Sequence, residues 1–248
     1  MDAMIFAAGL GTRLKPLTDD RPKAMVQVNS LPLIGHAILN LKHQGVKRIT
    51  VNVHHFAKQI TAYLESENWF DLDIQISDET DQLLDTGGGL KKAIPLFDPV
   101  RPLIVCNVDI LTNLDINAMM QVHNDSNAIA TLAIRNRPTS RYFLFNKKQN
   151  LVGWKNVKTG ELKMSREARQ PTPIAFSGFQ IISPKLFNYM DQTGKFSIVA
   201  TYLEIAKRHK IKGYLHNDDY WLDVGKHDTY KVANTFIKSM NPNYLVRN

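Results

Sequence analysis

The sequence predicts an α/β fold in which a mixed, mostly parallel sheet lies between two layers of helices. Short apolar runs alternate with helical patterns through the first third of the chain. This β-α-β-α-β rhythm is typical of parallel strands joined by crossover helices. Farther along, two short strand patterns separated by few residues indicate an antiparallel hairpin, so we expect the sheet to be mixed.

The first half of the chain supplies the parallel strands. A buried strand at 4–8 is followed by a helix at 33–42, where apolar residues recur at helical spacing and Gly45 marks the end. A strand rich in β-branched residues follows at 46–53, then an amphipathic helix at 57–64 and an alternating strand at 72–76. Such sheets bind ligands beyond the carboxyl ends of their strands.

The second half is less regular. Its predicted elements are strands at 103–109, 129–134 and 174–182, a hairpin of 143–145 with 151–154, and helices at 198–207 and 227–238. At 248 residues the chain can bury one large core, so we expect a single domain over 1–248.

Composition narrows the functional classes. The net charge of +8 comes without a long Lys/Arg block or an RNA-binding motif, so a basic surface around a cleft for small polyanions explains it; nucleic-acid binding remains the alternative. No apolar run is long enough to span a membrane, and the N-terminus lacks a signal-peptide pattern. The single cysteine, Cys106, excludes an internal disulfide and suggests a reducing cytoplasm; we interpret it as a buried apolar side chain.

The first predicted strand runs into a glycine-rich segment with anion-binding chemistry. Gly9 and Gly11 allow backbone N–H groups to approach an anion, and Thr12 adds a hydroxyl donor. Arg13 offers a planar fork that fits phosphate oxygens, and Lys23 supplies a compact second cation. A lone Gly-x-Gly often marks only a tight turn, but the longer pattern favours a phosphate site.

Known phosphate motifs do not fit this segment. Leu14 occupies the third glycine position of a dinucleotide fingerprint, and no Gly-Lys-Ser/Thr of a Walker loop follows. The whole string, G-x-G-T-R-L-x-P-L-T-x(3)-P-K, instead resembles the signature of the sugar-phosphate nucleotidyltransferases, which join an NTP and a sugar 1-phosphate and release pyrophosphate. The resemblance extends over nearly the whole chain. It is strongest to the N-acetylmuramate 1-phosphate uridylyltransferases, then to the mannose-1-phosphate guanylyltransferases, and it implies their three-layer, Rossmann-like nucleotide-diphospho-sugar transferase fold.

Two aspartates form a candidate magnesium site. Asp109 ends a buried strand, and Asp223 lies in a Trp-x-Asp-x-Gly segment where an unpartnered carboxylate would be costly to bury. Mg²⁺ prefers hard oxygen ligands and usually takes one or two carboxylates together with substrate phosphates. The resemblance implies that both residues hold Mg²⁺, although Val108 replaces the glycine that the family places before the first aspartate.

A second glycine-rich segment, at 85–90, is interpreted as a turn before a helix that ends at Ala93. Its glycines remove side chains where a flat base or a sugar ring lies against backbone. An ordinary loop explains the composition equally well, but the resemblance favours binding. We therefore assign Thr86, Gly87 and Gly88 to the nucleotide, together with Ala8 and the first glycine-rich segment.

The sugar side is less well defined. We assign Asp85, Asn107, Arg141 and Gly178 to the sugar. A glycine inside a strand allows close approach or marks a β-bulge, and both remain open for Gly178. The Glu-Lys-Pro motif whose lysine binds the sugar phosphate in many relatives is absent, and Arg141 is the candidate replacement; a solvated loop arginine is the alternative.

The resemblance thus implies a cytoplasmic, Mg²⁺-dependent enzyme acting on an NTP and a sugar 1-phosphate, with no nucleic-acid or membrane partner, as a monomer or small homo-oligomer. We expect Arg13, Lys23, Asp109 and Asp223 to be catalytic. Residues 1–134 would bind the nucleotide, and 135–248 would bind the sugar and supply the second aspartate. UTP with N-acetylmuramate 1-phosphate is the preferred pair; GTP with mannose 1-phosphate, dTTP or UTP with glucose 1-phosphate, and a non-catalytic nucleotide-sugar sensor are the alternatives.

Overall fold

Fourteen β-strands are assigned in the computed structural model, which describes residues 1–240 and 242. In chain order the strands are β1 Asp2–Phe6, β2 Gln27–Val28, β3 Leu31–Pro32, β4 Arg48–Val53, β5 Asp73–Asp78, β6 Leu103–Asn107, β7 Ile110–Thr112, β8 Ala130–Arg135, β9 Arg141–Phe145, β10 Leu151–Asn156, β11 Leu162–Met164, β12 Thr172–Ile182, β13 Ile211–Leu215 and β14 Trp221–Asp223. The predicted strands are all present, with ends that shift by a few residues.

Six α-helices accompany the strands over the same described residues. They are α1 Leu33–His43, α2 Ala57–Ser66, α3 Asp85–Lys92, α4 Ile116–Ser126, α5 Ile198–Ile205 and α6 His227–Met240. Short 3₁₀ turns at Thr12–Leu14 and Lys23–Met25 lie in the connection between β1 and β2. No helix among the described residues is both long and apolar enough to cross a membrane.

The predicted mixed sheet is confirmed, and four parallel strands form one end of it. Strands β6, β1, β4 and β5 are neighbours in that order and run parallel. β12 then pairs antiparallel with β6, β8 and β9. β9 and β10 form the predicted antiparallel hairpin, and β11 continues it. The sheet therefore changes from parallel to antiparallel at the β6–β12 boundary.

Helices cover both faces of this sheet, as predicted. One buried cluster packs α1, α2, α4 and α6 against one face, and a second packs α3 and α5 against the other. The alternation follows from the strand pleat, which sends successive side chains to opposite faces. In β1, for example, Ile5 belongs to the first cluster and Met4 to the second.

The first strand ends earlier than the predicted 4–8, and the reason is a side chain. Ala7 and Ala8 leave the ladder because their N–H groups donate to Oδ1 of Asn52, at 2.7 and 3.3 Å. The Asn52 amide donates in turn to Oε1 of Glu79 at 2.7 Å. This chain of bonds fixes the backbone where β1 leaves the sheet, at the edge where ligands of parallel sheets bind.

The second glycine-rich segment is part of a helix, which corrects the predicted turn. α3 begins at Asp85, and Gly87, Gly88 and Gly89 form its interior. A Cβ at Gly87 would lie 2.4 Å from the Phe196 ring, and one at Gly88 would lie 2.2 Å from the Gly194 carbonyl oxygen. Glycine is therefore required here because the 194–196 segment packs directly on the helix.

Candidate active site

The two predicted metal aspartates meet through a small separate sheet. Asp109 follows β6, and the next strand, β7, pairs antiparallel with β14 so that Ile110 lies opposite Asp223. The N–H of Val224 donates to the carbonyl of Asp109 at 2.9 Å. Residues more than a hundred positions apart in the sequence are thereby held side by side at the carboxyl end of β6.

The charged groups of the site lie close together around Gly225. A Cβ at this position would lie 2.7 Å from Oδ1 of Asp223, and 3.0 Å from both Oδ2 of Asp109 and Nη2 of Arg13. The Gly225 N–H also donates to Oδ1 of Asp223 at 2.8 Å. Two carboxylates and a guanidinium therefore surround one point, where any side chain larger than hydrogen would collide with them.

The carboxylates experience both repulsion and attraction. The pKa of Asp223 is raised, first because burial removes water from the carboxylate and second because Asp109 is nearby; the Gly225 N–H, Lys23 and Arg13 oppose that rise. Lys23 Nζ lies 2.6 Å from Oδ2 of Asp109. Oδ1 of Asp109 is buried and has no hydrogen-bond partner among the described residues, although carboxylate oxygens are strong acceptors.

These residues fit the Mg²⁺ expected from the sequence. The ion prefers oxygen ligands and commonly takes one or two carboxylates together with substrate phosphates. Asp109 offers a buried oxygen that has no hydrogen-bond partner among the described residues. The surroundings of Asp223 favour its protonated form, so a cation would offset the cost of the ionised carboxylate. No group of three or more His, Cys, Asp or Glu residues that could hold a metal ion occurs in the described part of the chain.

The first glycine-rich segment wraps around Lys23. Gly11 has a left-handed backbone (φ 67°), and its carbonyl accepts the Thr18 hydroxyl at 3.0 Å. The left-handed backbone favours glycine here, and a Cβ would also lie only 3.0 Å from Cβ of Lys23 and from Cγ2 of Thr18. The segment thus brings Arg13 and Lys23 to the two aspartates.

These groups line a cleft of about 450 Å³ at the carboxyl ends of β1, β4 and β6. Nine predicted site residues border it: Ala8, Gly9, Arg13, Lys23, Asp85, Thr86, Asn107, Asp109 and Asp223. A larger cavity of about 600 Å³ lies between α5 and the β10–β11 hairpin. The paired aspartates and their cations border the smaller cleft, so that is the candidate active site.

Other predicted site residues lie outside the cleft lining. Thr12 is exposed in the 3₁₀ turn, and the N–H groups of Gly87 and Gly88 donate to the Phe196 carbonyl instead of facing the cleft. Arg141 borders the larger cavity. Direct ligand contacts for these four residues remain predictions.

Gly11 and Gly178 do not line the cleft, but each packs against a residue that does. Gly11 packs on Lys23, as described above. Gly178 has a positive φ of 89°, and a Cβ there would lie 2.6 Å from Ile110 and 3.3 Å from the Asn107 amide nitrogen. The register of β12 against β8 also shifts between Phe176 and Gln180. The β-bulge alternative for Gly178 is therefore realised, next to a cleft residue.

Four further cleft residues were not assigned to the site from the sequence: Phe6, Asn52, Glu79 and Lys195. Asn52 lies one residue before the end of β4, and Glu79 directly follows β5. Their position at the carboxyl ends of two parallel strands was the signal that could have found them. Lys195 comes from an irregular segment before α5, and nothing in its spacing connects it to the cleft. It adds a third cation beside Arg13 and Lys23.

Cys106 is not a nucleophile. The side chain is 1% exposed, and burial, with a smaller effect of the nearby Asp109 carboxylate, raises the pKa of its thiol to about 12. A thiol of this kind stays protonated at neutral pH. The interpretation of Cys106 as a buried apolar side chain agrees with this environment.

Comparison with known protein families identifies the family of this chain. The model of the Nucleotidyl transferase family matches residues 2–152, which is more than half of the sequence. The chain belongs to the nucleotidyl transferase family. As a member, it is a sugar-1-phosphate nucleotidyltransferase, an enzyme of the EC 2.7.7 class.

Individual relatives of this nucleotidyltransferase cover almost its whole length. The N-acetylmuramate alpha-1-phosphate uridylyltransferase of Caulobacter vibrioides is 32% identical, over 90% of this chain and 91% of the relative. The enzyme of the same name from Neisseria meningitidis is 29% identical, over 91% and 93%. The structure of a UDP-glucose pyrophosphorylase from Acinetobacter baumannii superposes with a TM-score of 0.80 over 98% of this chain and 95% of that one; at 18% identity this likeness concerns the fold.

Proposed function

We propose that this enzyme transfers a uridylyl group from UTP to N-acetylmuramate 1-phosphate, giving UDP-N-acetylmuramate and pyrophosphate. The observation that carries the proposed chemistry is the convergence of Asp109 and Asp223 with Arg13 and Lys23 in one cleft. The choice of base and sugar is supported by two relatives at 32% and 29% identity that carry the name of this activity.

In the proposed reaction, an oxygen of the sugar phosphate attacks the α-phosphorus of UTP. A new P–O bond forms, the bond between the α-phosphorus and the bridging oxygen breaks, and its electron pair leaves with pyrophosphate. No covalent enzyme intermediate is needed because the second substrate already carries a nucleophilic oxygen. The enzyme must therefore hold two anions together and neutralise the charge that develops on them.

In the proposed mechanism, the cations of the cleft bind the phosphates and the two aspartates hold the metal ion. Arg13, whose guanidinium fork matches phosphate oxygens, would bind the triphosphate and favour the leaving pyrophosphate. Lys23 would contact the reacting phosphates as charge shifts between them, and its ion pair with Asp109 fixes its position before substrate arrives. Asp109 and Asp223 would hold Mg²⁺. The positive charge of a bound ion at these two carboxylates would offset the negative charge of the reacting phosphates.

The base and the sugar would approach from opposite sides of this centre. In the proposed division, residues 1–134 form the nucleotide side of a single domain, and 135–248 form the sugar side. Ala8 and Thr86, which line the cleft, would contact the base, and Asn107, which lines it next to Gly178, would contact the sugar. We further propose that the enzyme acts in the cytoplasm, where both substrate classes are available to it.

Pyrophosphate release with Mg²⁺ tests the proposal. UTP, GTP, dTTP and CTP are each combined with the 1-phosphates of N-acetylmuramate, N-acetylglucosamine, mannose and glucose. The proposal expects the UTP and N-acetylmuramate 1-phosphate pair to give the highest kcat/KM. A higher value for another pair would replace the proposed substrates and keep the class, whereas binding of nucleotide sugars without turnover of any pair would support the sensor alternative.

A further inference from the structure

Arg137 is a half-buried cation without a salt-bridge partner among the described residues. It lies in the irregular connection between β8 and β9, and none of the ion pairs of the described residues includes it. Its Nε is buried and has no hydrogen-bond partner among the same residues. Burial lowers the pKa of the guanidinium, and the Asp223 carboxylate acts in the opposite direction. A buried charge of this kind is costly unless an anion compensates it.

The side chain is nevertheless held in a defined position. Nη2 of Arg137 donates to the Phe176 carbonyl at 2.8 Å, and the guanidinium carbon lies 4.6 Å from the centroid of the Trp221 ring. The Trp221 indole N–H donates to the Ser177 carbonyl at 2.8 Å, which fixes the ring. Nη1 also donates to the Pro138 carbonyl at 3.4 Å, so Nη1 and Nη2 each retain one N–H donor that a ligand can reach at the edge of the stacked guanidinium.

Strand geometry places this cation next to the proposed catalytic centre. Trp221 and Asp223 are two residues apart in β14, so their side chains point to the same face of the strand. Arg137 therefore lies over the face that carries the second metal aspartate. The contact with Phe176 joins it to β12, two residues before Gly178, which packs beside the cleft residue Asn107.

Around Arg137 the surface forms an open groove of about 440 Å³. Lys155 and Asn136 border it, and Ala175 of β12 forms part of its floor. No aspartate or glutamate is among the described residues that line it, so the groove has two cationic side chains and no acidic one. Ala175 and Gly178 are three residues apart in β12, so at the usual rise of a strand at most about 10 Å separates them, a distance that a substituted hexose can span.

The groove is distinct from the lining of the phosphate cleft. The cleft already contains Arg13, Lys23 and Lys195 for the phosphates of the two substrates. A second anionic group on the sugar, beyond its 1-phosphate, would reach the Arg137 groove without displacing them. A guanidinium fork matches a carboxylate in two parallel hydrogen bonds, which a neutral hydroxyl group cannot reproduce.

We infer that Arg137, with Lys155 beside it, binds a carboxylate substituent of the sugar and makes this enzyme selective for acidic sugar 1-phosphates over neutral ones. The inference rests on the proposed function and deepens it, since N-acetylmuramate carries such a carboxylate. The residues that select the sugar would thus lie outside the phosphate cleft. Their selectivity for an acidic sugar would not depend on the base of the nucleotide.

Two matched pairs of sugar 1-phosphates test this selectivity. N-acetylmuramate is compared with N-acetylglucosamine, and glucuronate with glucose, so that each pair differs in a carboxylate. The wild type is expected to favour the acidic member. Arg137→Met should lower kcat/KM for the acidic member about 10- to 100-fold, the scale of a charge-assisted hydrogen bond of 1.5–3 kcal/mol, mainly through KM. The neutral member should be unaffected, and Arg137→Lys should recover part of the loss.

Arg135→Met is the matched control. Arg135 also lies over Trp221, at 5.6 Å from the ring centroid, but its guanidinium donates to the carbonyls of Asn217 and Asp219. Its loss should leave the ratio between acidic and neutral sugars at the wild-type value. A change of that ratio in Arg135→Met as large as in Arg137→Met would show that Trp221 packing alone is responsible.

Three results would overturn the inference. They are an equal loss for both members of a pair in Arg137→Met, which would assign the arginine to the shared 1-phosphate; no loss for either member; and a wild type without preference for the acidic members. Absence of pyrophosphate release with every sugar would instead refute the proposed function. In that case, calorimetric titration of glucuronate 1-phosphate and glucose 1-phosphate into wild type and Arg137→Met still tests the carboxylate site by binding.

Discussion

Replacement of Asp223 by Asn should make the metal-free protein more stable while it removes activity. The carboxylate is largely buried and lies near Asp109, and these two effects raise its pKa above the usual value. A carboxyl group whose pKa is higher in the folded than in the unfolded protein favours folding when protonated, and this contribution is lost as pH rises through the folded pKa. At neutral pH the Asp223 charge is therefore a net cost to the fold.

An asparagine removes that charge and keeps the local geometry. Oδ1 of Asp223 accepts the Gly225 N–H at 2.8 Å, and the amide oxygen of Asn can accept the same bond. Removing an unfavourable charge at a functional site typically adds about 0.5–2 kcal/mol to the free energy of unfolding. For a chain of this size, that corresponds to a rise in Tm of roughly 1–8 °C. Turnover should fall at least about 100-fold because a carboxylate next to the reacting phosphates is lost.

Thermal unfolding in EDTA at pH 7.5 measures the stability effect, and pyrophosphate release with Mg²⁺ measures the catalytic one. Asp81→Asn, a substitution of an exposed aspartate, is the control and should change neither quantity. The stability difference should shrink as pH falls through the raised pKa of Asp223, because the wild type then becomes neutral at this position as well. An Asp223→Asn variant that is less stable than the wild type at pH 7.5 would refute the reasoning, since Lys23 and Arg13 would then outweigh burial and repulsion.

Three other predictions concern the cleft and the core. Asp109→Asn should abolish turnover and leave the circular dichroism spectrum unchanged; near wild-type release of pyrophosphate would remove Asp109 from the site. Lys23→Ala should cost roughly 2–4 kcal/mol in kcat/KM, the scale for one preorganised charge donor, and a change in Tm alone would make Lys23 structural. Burial lowers the pKa of both His123 and His216 to about 4, and Arg135 contributes for His216. Stability should therefore be full above pH 6.5 and fall between about pH 6.5 and 4, as acid unfolding curves will show; a flat curve over that range would contradict the two shifts.

The regular parts of the fold could be predicted because their signals are local. The pattern of β1, α1, β4, α2 and β5 is visible in the spacing of apolar residues, and parallel strands of this kind place their carboxyl ends at one edge. The same logic placed the first glycine-rich segment and Asp109 at that edge. Asp223 needed the resemblance as well, since only the pairing of β14 with β7 brings it there.

The remaining features depend on contacts between distant segments. The glycines of α3 suggested a binding turn, but the 194–196 segment that makes glycine necessary lies about a hundred residues away. Arg141 was the candidate for the sugar-side cation because the Glu-Lys-Pro lysine of many relatives is absent, and it borders a different cavity. Arg137 gave no signal because its stacking on Trp221 and its bond to Phe176 join three segments of the chain. A contact between three distant segments cannot be predicted from a local sequence pattern.

Transfer of the α-phosphorus is the central claim, and a labelled nucleotide tests it most directly. UTP carrying ³²P at the α position is incubated with Mg²⁺, N-acetylmuramate 1-phosphate and either wild type or Asp109→Asn. The account predicts that the wild type moves the label into a UDP-sugar and releases unlabelled pyrophosphate, while the variant leaves it in UTP. Label that stays in UTP with the wild type, or that appears in UMP without a nucleotide sugar, would contradict it.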